Sequence, residues 1–185
     1  MALVNLRDML QHAYRNGYAV GAFDLVNLEF LEGIMSAAEH HSSPVILSLA
    51  ESHFDHYDFD LLMPAVVEAA RRASVPVAIH LDHGASQDSA VRAINRGCNG
   101  VMVDASHHAV SDNIRITSEV VQMARGCGVP VEGELGYVPG VEGEEARRYV
   151  DETGVDFLAV SIGTVHGRMK GSPQLDIQRL KDINA

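Results

Sequence analysis

The sequence predicts an α/β barrel built from parallel strands, and two observations point to that class. From Tyr18 onwards, short apolar runs alternate with amphipathic helical patterns, and the runs lack the polar alternation of half-exposed strands. Each strand and its helix together take roughly 25 residues, the period of an α/β barrel or a doubly wound sheet. The first strand-to-helix turn reads GAFDLVN rather than GxGxxG, which favours the barrel over a dinucleotide-binding sheet.

The predicted elements follow one another in regular order. The amphipathic stretch MALVNLRDMLQHAYRNG mixes charged and apolar residues and predicts a first helix rather than a secretory leader. The predicted strands are YAVGAF, PVILSL, PVAIHLDH, GVMVDASH, VPVEGELG and DFLAVSIG. The predicted helices that follow them are NLEFLEGIMSAAEHH, DLLMPAVVEAARRA, SQDSAVRAINRG, SDNIRITSEVVQMARG, EEARRYVDETG and one around LDIQRLKDI. Ser86 and Ser111 are predicted N-caps, and Gly97, Gly126 and Gly154 are predicted C-caps.

These elements make six strand-plus-helix units, whereas a closed TIM (β/α)8 barrel has eight. We therefore predict a single α/β-barrel domain over residues 1–185, in which about the first six units of such a barrel are present. With two units fewer, we expect either a half-open or oligomer-completed barrel or a sequence that is only part of a longer chain.

Composition restricts the classes of partner and indicates the cellular compartment. Lys and Arg number 14 and Asp and Glu number 25, which gives a net charge of −11; we expect neither nucleic acid nor an anionic membrane as a partner. No apolar run approaches the roughly 18 residues of a membrane span. Cys98 and Cys127 are too few for a disulfide framework. The sequence thus predicts a cytoplasmic protein.

Acidic, imidazole and hydroxyl side chains collect where the predicted strands end. In a barrel the carboxyl ends of the strands converge on the face that carries the active site. The residues in question are Asp24, His80, Asp82, His83, Asp104, Ser106, Glu132, Glu134 and His166.

Two histidines and two carboxylates in this group suit a metal ion. His83 and His166 with Asp104 and Glu134 form a ligand set for zinc or a similar divalent ion. The alternative is that each histidine is a hydrogen-bonded core or rim residue. Asp82 directly precedes His83, so a regular strand would point them to opposite faces, and a bulge would be needed to bring both to one site. Asp82 is then either a general acid or base or a partner that orients an imidazole.

Two further patterns concern anion binding and covalent catalysis. SIGTVHGRMKGS offers backbone N–H groups to an anion, as phosphate loops late in barrels do. Lys170 and Lys181 are the only lysines, and neither lies in an apolar strand, which disfavours Schiff-base catalysis.

Six segments in this order resemble the class II, metal-dependent ketose-bisphosphate aldolases of the fructose- and tagatose-bisphosphate type. They are VGAFDLVNLE, SPVILSL, AIHLDHG, VMVDASH, VEGELG and TGVDFLAVSIGTVHG. The resemblance implies a lyase of carbohydrate metabolism and glycolysis that reversibly cleaves a ketose 1,6-bisphosphate to dihydroxyacetone phosphate and an aldehyde such as glyceraldehyde 3-phosphate. A non-catalytic sugar-phosphate-binding barrel and a metal-dependent phosphosugar epimerase or isomerase are the alternatives.

The resemblance also implies roles for the metal-site residues. His83 and His166 would bind the catalytic Zn²⁺ or another divalent ion, and Asp104 and Glu134 would be alternative or second metal ligands. Asp82 would be the acid/base that handles the proton of the hydroxyl next to the breaking C–C bond.

Further implied roles concern the substrate. Glu142 would be the mobile-loop glutamate, and Gly167 would belong to a backbone site for a monovalent cation (Na⁺ or K⁺) and the ketose phosphate. We expect Asp24 and Ser106 to contact the phosphorylated sugar as well. Asp24 stands where the family more often has Asn, which replaces a neutral donor and acceptor with an acceptor-only anion.

The resemblance finally implies a homodimer or homotetramer. Relatives have a further loop after the position of Glu142 and continue beyond LKDINA with a third zinc-binding histidine and a phosphate loop. We therefore expect the sequence to lack part of that loop and the closing units of the barrel.

Overall fold

The computed structural model describes residues 2–136, 143–163, 172 and 174–183. Within them, one sheet of six strands runs in the spatial order β1-β2-β3-β4-β5-β6. The strands are Gly21–Asp24 (β1), Val45–Ala50 (β2), Val77–Gly84 (β3), Gly100–Val103 (β4), Val131–Leu135 (β5) and Phe157–Val160 (β6).

Helices connect the strands. They are Leu6–Asn16 (α1), Leu28–His40 (α2), Phe59–Arg72 (α3), Gln87–Arg96 (α4), Val110–Arg125 (α5), Gly143–Thr153 (α6) and Ile177–Ile183 (α7), with a 3₁₀ helix, Glu51–His53, directly after β2. None of the helices in the described part of the chain is both long and apolar enough to cross a bilayer.

The strand order distinguishes a barrel from a doubly wound sheet. Every neighbouring pair is parallel, and each strand lies beside the next one in sequence. A doubly wound sheet reverses its strand order at a switch point, whereas a (β/α)8 barrel does not. The predicted fold class, about six units of a TIM barrel, is confirmed.

The two faces of the sheet carry different residues. The outer face packs against the helices through alternate apolar residues, among them Leu47, Ile79 and Val101, which are fully buried. On the inner face, Ile46 and Ala78 pack against residues of α1 in a smaller apolar cluster. The inner face is therefore apolar where it packs against α1, and its polar residues lie towards the carboxyl ends of the strands.

The helix ends follow the predicted capping chemistry with one exception. The Ser86 side chain accepts the N–H of the third residue of α4, and Gly97 and Gly154 adopt positive φ angles of 109° and 68°, which glycine tolerates best. Gly126 caps α5 in right-handed conformation. The Ser111 prediction is wrong: this residue lies inside α5, because backbone N–H groups at residues 112 and 113 already bond to the carbonyl of residue 109.

A buried polar network fixes β5 to the outer helices. The Tyr149 hydroxyl in α6 donates to Oδ1 of Asn113 in α5 at 3.0 Å and lies 2.8 Å from Oγ1 of Thr117. The Asn113 amide in turn donates to the backbone carbonyl of Glu134 at 2.8 Å. Gly133 makes room for this contact, since a Cβ there would stand 2.6 Å from the tyrosine oxygen. Helices α5 and α6 thus hold the strand segment that carries Glu134.

We expect Tyr149→Phe to lower the free energy of unfolding by about 1–3 kcal/mol, because the fully buried Asn113 and Thr117 groups lose a hydrogen-bond partner. Urea denaturation followed by circular dichroism measures the change. Tyr14, 74% exposed on α1, offers a matched control: Tyr14→Phe should stay within about 0.5 kcal/mol. Equal changes in the free energy of unfolding in the two variants would contradict a contribution of this network to stability.

Candidate active site

A bulge at the end of β3 brings consecutive residues to one site. His83 has a φ of 48°, and the register between β3 and β4 shifts between Leu81 and Gly84. In a regular strand Asp82 and His83 would face opposite sides of the sheet, but an extra residue in a bulge re-aims the side chain that follows. The structure therefore contains the bulge that Asp82 and His83 need in order to reach one site.

Close contact with β4 keeps the bulge in place. Gly84 lies so near this strand that a Cβ would stand 2.6 Å from the backbone oxygen of Met102. The backbone N–H of Asp104 also donates to the carbonyl of Gly84 at 3.0 Å. A left-handed conformation at a residue other than glycine persists when its surroundings hold it, and these contacts hold the residue after His83.

Three of the predicted metal ligands meet at this point. Nδ1 of His83 lies 2.8 Å from Oδ2 of Asp104 and 3.5 Å from Oε2 of Glu134. One ligand atom from each of the three residues lies within 4.8 Å of the others. The side chains are 27%, 23% and 17% exposed, respectively, so the cluster is partly shielded yet open to solvent.

The imidazole and the nearest carboxylate form an ion pair. The hydrogen bond with Asp104 raises the pKa of His83 to about 9, against the effect of burial, and the charges of Asp82 and Glu134 add to the rise. The same hydrogen bond holds the pKa of Asp104 well below its usual range, helped by hydrogen bonds from Ser106. Without a metal, His83 is thus protonated at pH 7.

Ser106 is bonded to the cluster. Its backbone N–H and its hydroxyl both donate to Oδ1 of Asp104, at 3.0 Å and 2.7 Å. These bonds leave Oδ2 of the same carboxylate facing His83. Ser106 therefore orients a candidate metal ligand, and its predicted contact with substrate stays a prediction.

A second imidazole–carboxylate pair lies deeper on the inner face. His80 is buried, and its Nε2 lies 3.3 Å from Oε2 of Glu132. Burial lowers the pKa of His80 to about 4. Burial, together with the charges of Asp82 and Glu134, raises the pKa of Glu132 to about 7. This inner pair therefore carries less charge than the outer cluster.

The charge of Asp82 affects both imidazole–carboxylate pairs. Its carboxylate raises the pKa of His83 as well as that of Glu132, so its charge acts on both. The residue is half-buried and pairs with Ala50 of β2. An acidic group placed beside a candidate metal cluster in this way is suited to transfer protons.

Asp24 does not join the cluster. It is exposed at the end of β1, opposite Ser48 of β2, and β1 is two strands away from β3. Its charge adds to burial in raising the pKa of Tyr57 to about 12, which places the phenol near this carboxylate. The remaining predicted residues, Glu142, His166 and Gly167, lie outside the described residues.

Sequence reasoning missed Glu51, the first residue after β2. Its carboxylate accepts the backbone N–H of Ala85 and the hydroxyl of Ser89, both at 2.6 Å. An acid directly after the buried strand PVILSLA was the available signal, the same signal that singled out Asp24. Glu51 therefore connects the end of β2 with the segment that follows His83.

Comparison with known proteins identifies the class of this barrel. A family model described as "Fructose-bisphosphate aldolase class-II" matches residues 4–185. The chain belongs to the class-II fructose-bisphosphate aldolase family, whose members are aldehyde-lyases. The predicted family and the predicted class of enzyme are thereby confirmed.

Individual relatives agree with the family. The chain is 42% identical to the "Probable fructose-bisphosphate aldolase" of Bacillus subtilis (strain 168), with 99% of this chain and 70% of that protein covered. It is 39% identical to the fructose-bisphosphate aldolase of Helicobacter pylori (strain J99 / ATCC 700824), with 98% and 64% covered. The chain thus spans about two thirds of the length of these relatives.

A solved structure supports the fold over nearly the whole chain. The YdjI aldolase of Escherichia coli K12 superposes with a TM-score of 0.90 at 36% identity, covering 98% of this chain and 67% of that one. The fructose-bisphosphate aldolase of Campylobacter jejuni, at 21% identity and a TM-score of 0.82, shows the same fold.

The family implies a divalent metal, typically zinc, and the described residues fit one. One imidazole and two carboxylates supply the nitrogen and oxygen donors that Zn²⁺ accepts, and one ligand atom of each lies within 4.8 Å of the others. In the metal-free protein the protonated imidazole balances the charge of the Asp104 carboxylate.

We expect the His83 imidazole to titrate near pH 9 in the metal-free protein, as measured by NMR. The ion pair stabilises the fold in full below the ordinary histidine pKa of 6.5 and loses its contribution as the pH rises through about 9. Asp104→Asn should therefore bring the pKa back towards 6.5. Asp24→Asn, which removes a carboxylate two strands away, should leave it unchanged; the same shift in both variants would contradict the pairing.

Proposed function

We propose that this chain carries the catalytic face of a zinc-dependent aldolase that reversibly cleaves a ketose 1,6-bisphosphate. The observation that carries the proposal is the cluster of His83, Asp104 and Glu134 beside Asp82, assembled by the bulge at the end of β3. Membership of the class-II aldolase family supports the reaction type. The substrate is of the fructose or tagatose type, and the products are dihydroxyacetone phosphate and an aldehyde such as glyceraldehyde 3-phosphate.

The outer cluster is proposed to hold the metal. His83, Asp104 and Glu134 supply ligand atoms, and Ser106 fixes the orientation of the Asp104 carboxylate. When bound there, a divalent cation withdraws electrons from a ketone carbonyl and so acidifies the neighbouring C–H bond. His166, which follows β6 in the sequence, is proposed as a further ligand from the family resemblance.

Asp82 is proposed as the acid/base. Cleavage breaks the bond between C3 and C4 of the ketose, and the C4 hydroxyl loses its proton as it becomes the aldehyde. A carboxylate beside the ligand cluster can accept that proton and return it in the direction of synthesis. The charge of Asp82 acts on the inner pair and on His83 alike, which supports a position within reach of the reacting atoms.

The remaining substrate contacts are proposed from the family resemblance. Glu142 would handle the proton on the ketone fragment, and Gly167 would bind the ketose phosphate through its backbone, with a monovalent cation nearby. Asp24 is proposed to contact a hydroxyl of the sugar, because an acceptor-only carboxylate repels phosphate. The homodimer or homotetramer and the cytoplasmic location stay predictions.

We expect exhaustive chelation, with metal loss verified by elemental analysis, to abolish cleavage of fructose or tagatose 1,6-bisphosphate. The reason is that the ketone then loses its electron-withdrawing partner. A coupled assay for dihydroxyacetone phosphate measures the rate, and readdition of Zn²⁺ should restore it. Full activity without metal would refute the proposal. Ligand-induced stabilisation without turnover would favour a binding protein, and isomerised product without cleavage would favour an epimerase.

We expect Asp82→Asn to lower kcat by about 10²–10⁴-fold, the usual contribution of a general acid or base, while Zn²⁺ affinity changes little. Asparagine keeps the shape of the side chain and removes its capacity to accept the proton. Steady-state kinetics and a chelator competition assay measure the two quantities. Asp88→Asn, an exposed acid in the first turn of α4, is the matched control and should change neither. Loss of metal together with activity in Asp82→Asn would instead make Asp82 a ligand.

A further inference from the structure

We propose that Glu51 is a positioning residue that holds His83 in the conformation needed for metal binding. Glu51 belongs to the 3₁₀ helix after β2 and is not part of the ligand cluster. It acts through the backbone of the segment that follows the bulge. The inference rests on the proposed metal site and adds a residue that neither the motifs nor the cluster includes.

Two short hydrogen bonds define the contact. Oε2 of Glu51 accepts the backbone N–H of Ala85, and Oε1 accepts the hydroxyl of Ser89, each at 2.6 Å. Ser89 also contacts the N-cap serine of α4, Ser86, through both its N–H and its hydroxyl. One half-buried carboxylate thus fixes both the bulge exit and the first turn of the next helix.

Two hydrogen bonds hold the peptide group that joins Gly84 to Ala85, directly after the bulge. Its carbonyl, that of Gly84, accepts the N–H of Asp104, the residue after β4, and its N–H, that of Ala85, donates to Glu51. This peptide group is therefore held by residues that follow two different strands, β2 and β4. A left-handed φ of 48° at a histidine needs such support, because a side chain disfavours this backbone region.

Fixing this peptide group sets the course of the backbone after His83 and so the direction of the imidazole. His83 Nδ1 lies 2.8 Å from Asp104 Oδ2 at the point where the backbone bulges. A relaxed, extended His83 would turn its side chain away from the face that carries the ligands. Residues that orient ligands from outside the cluster commonly change metal affinity by about 10–100-fold when they are removed.

Three variants of the full chain separate this role from general stability. Glu51→Leu keeps a similar volume and removes both acceptors, whereas Glu51→Gln keeps an acceptor for Ala85 and a group that bonds to Ser89. Glu39→Leu is the matched control, because Glu39 accepts a backbone N–H, that of Ser74, at 2.8 Å far from the site.

The first measurement is titration with Co²⁺, whose visible absorption reports the geometry of its ligands. We expect Glu51→Leu to bind Co²⁺ at least tenfold more weakly than the wild type and with an altered spectrum. Glu51→Gln should recover affinity to within about threefold. Glu39→Leu should keep the wild-type spectrum and affinity even where its melting temperature falls as far as that of Glu51→Leu.

The second measurement needs no metal. Amide hydrogen exchange at Asp104, whose N–H donates to Gly84, should accelerate at least tenfold in Glu51→Leu relative to exchange at Leu47 in the centre of β2. It should not accelerate in Glu39→Leu. This measurement tests whether Glu51 supports the bulge independently of what the cluster binds.

The outcomes are distinguishable. Wild-type Co²⁺ affinity and spectrum in Glu51→Leu, or equal losses in Glu51→Leu and Glu39→Leu, would overturn the positioning role while leaving the proposed function intact. Unchanged exchange at Asp104 would overturn it as well. If His83→Ala binds Co²⁺ as the wild type does, the proposed metal site fails, and the positioning role toward it fails for that separate reason.

Discussion

The bulge at Asp82 and His83 is the constraint on which the site depends. Parallel strands deliver side chains to the inner face at every second residue, so a regular β3 could present only one member of this pair. The left-handed backbone at His83 removes that limit. It places an imidazole against Asp104 and Glu134 while Asp82 stays within electrostatic range of both pairs. One proposed ligand, His83, and the proposed acid/base, Asp82, thus come from adjacent residues of a single strand end.

The surrounding structure holds this backbone conformation. Glycine at position 84 lets β4 approach, and glycine at position 133 lets Tyr149 approach β5 from the outside. The buried amide of Asn113 then bonds to the carbonyl of Glu134, so the third member of the cluster is also held through its main chain. The site is therefore supported by the two glycines, by the polar groups of the outer helices and by the acids of the inner face.

The alternation of apolar runs and helical patterns was sufficient to predict the class of fold, because strands buried on both faces leave a strong signal. The polar residues at the strand ends likewise predicted which carboxylates would meet His83. The sequence could not predict the bulge itself, since the letters of HLDHG are compatible with a regular strand. Nor could it indicate what Glu51 contacts, because its partners, Ala85 and Ser89, lie 34 and 38 positions away and become neighbours only in the folded chain.

The inner face shows three layers from the amino to the carboxyl ends of the strands. The first is apolar, with Ile46 and Ala78 against α1. The second holds His80, neutral at pH 7, with Glu132, whose neutral form burial favours. The third carries the charged cluster around His83. Because an ion loses favourable solvation in a medium of low polarity, this gradient disfavours a cation in the two deeper layers relative to the charged cluster.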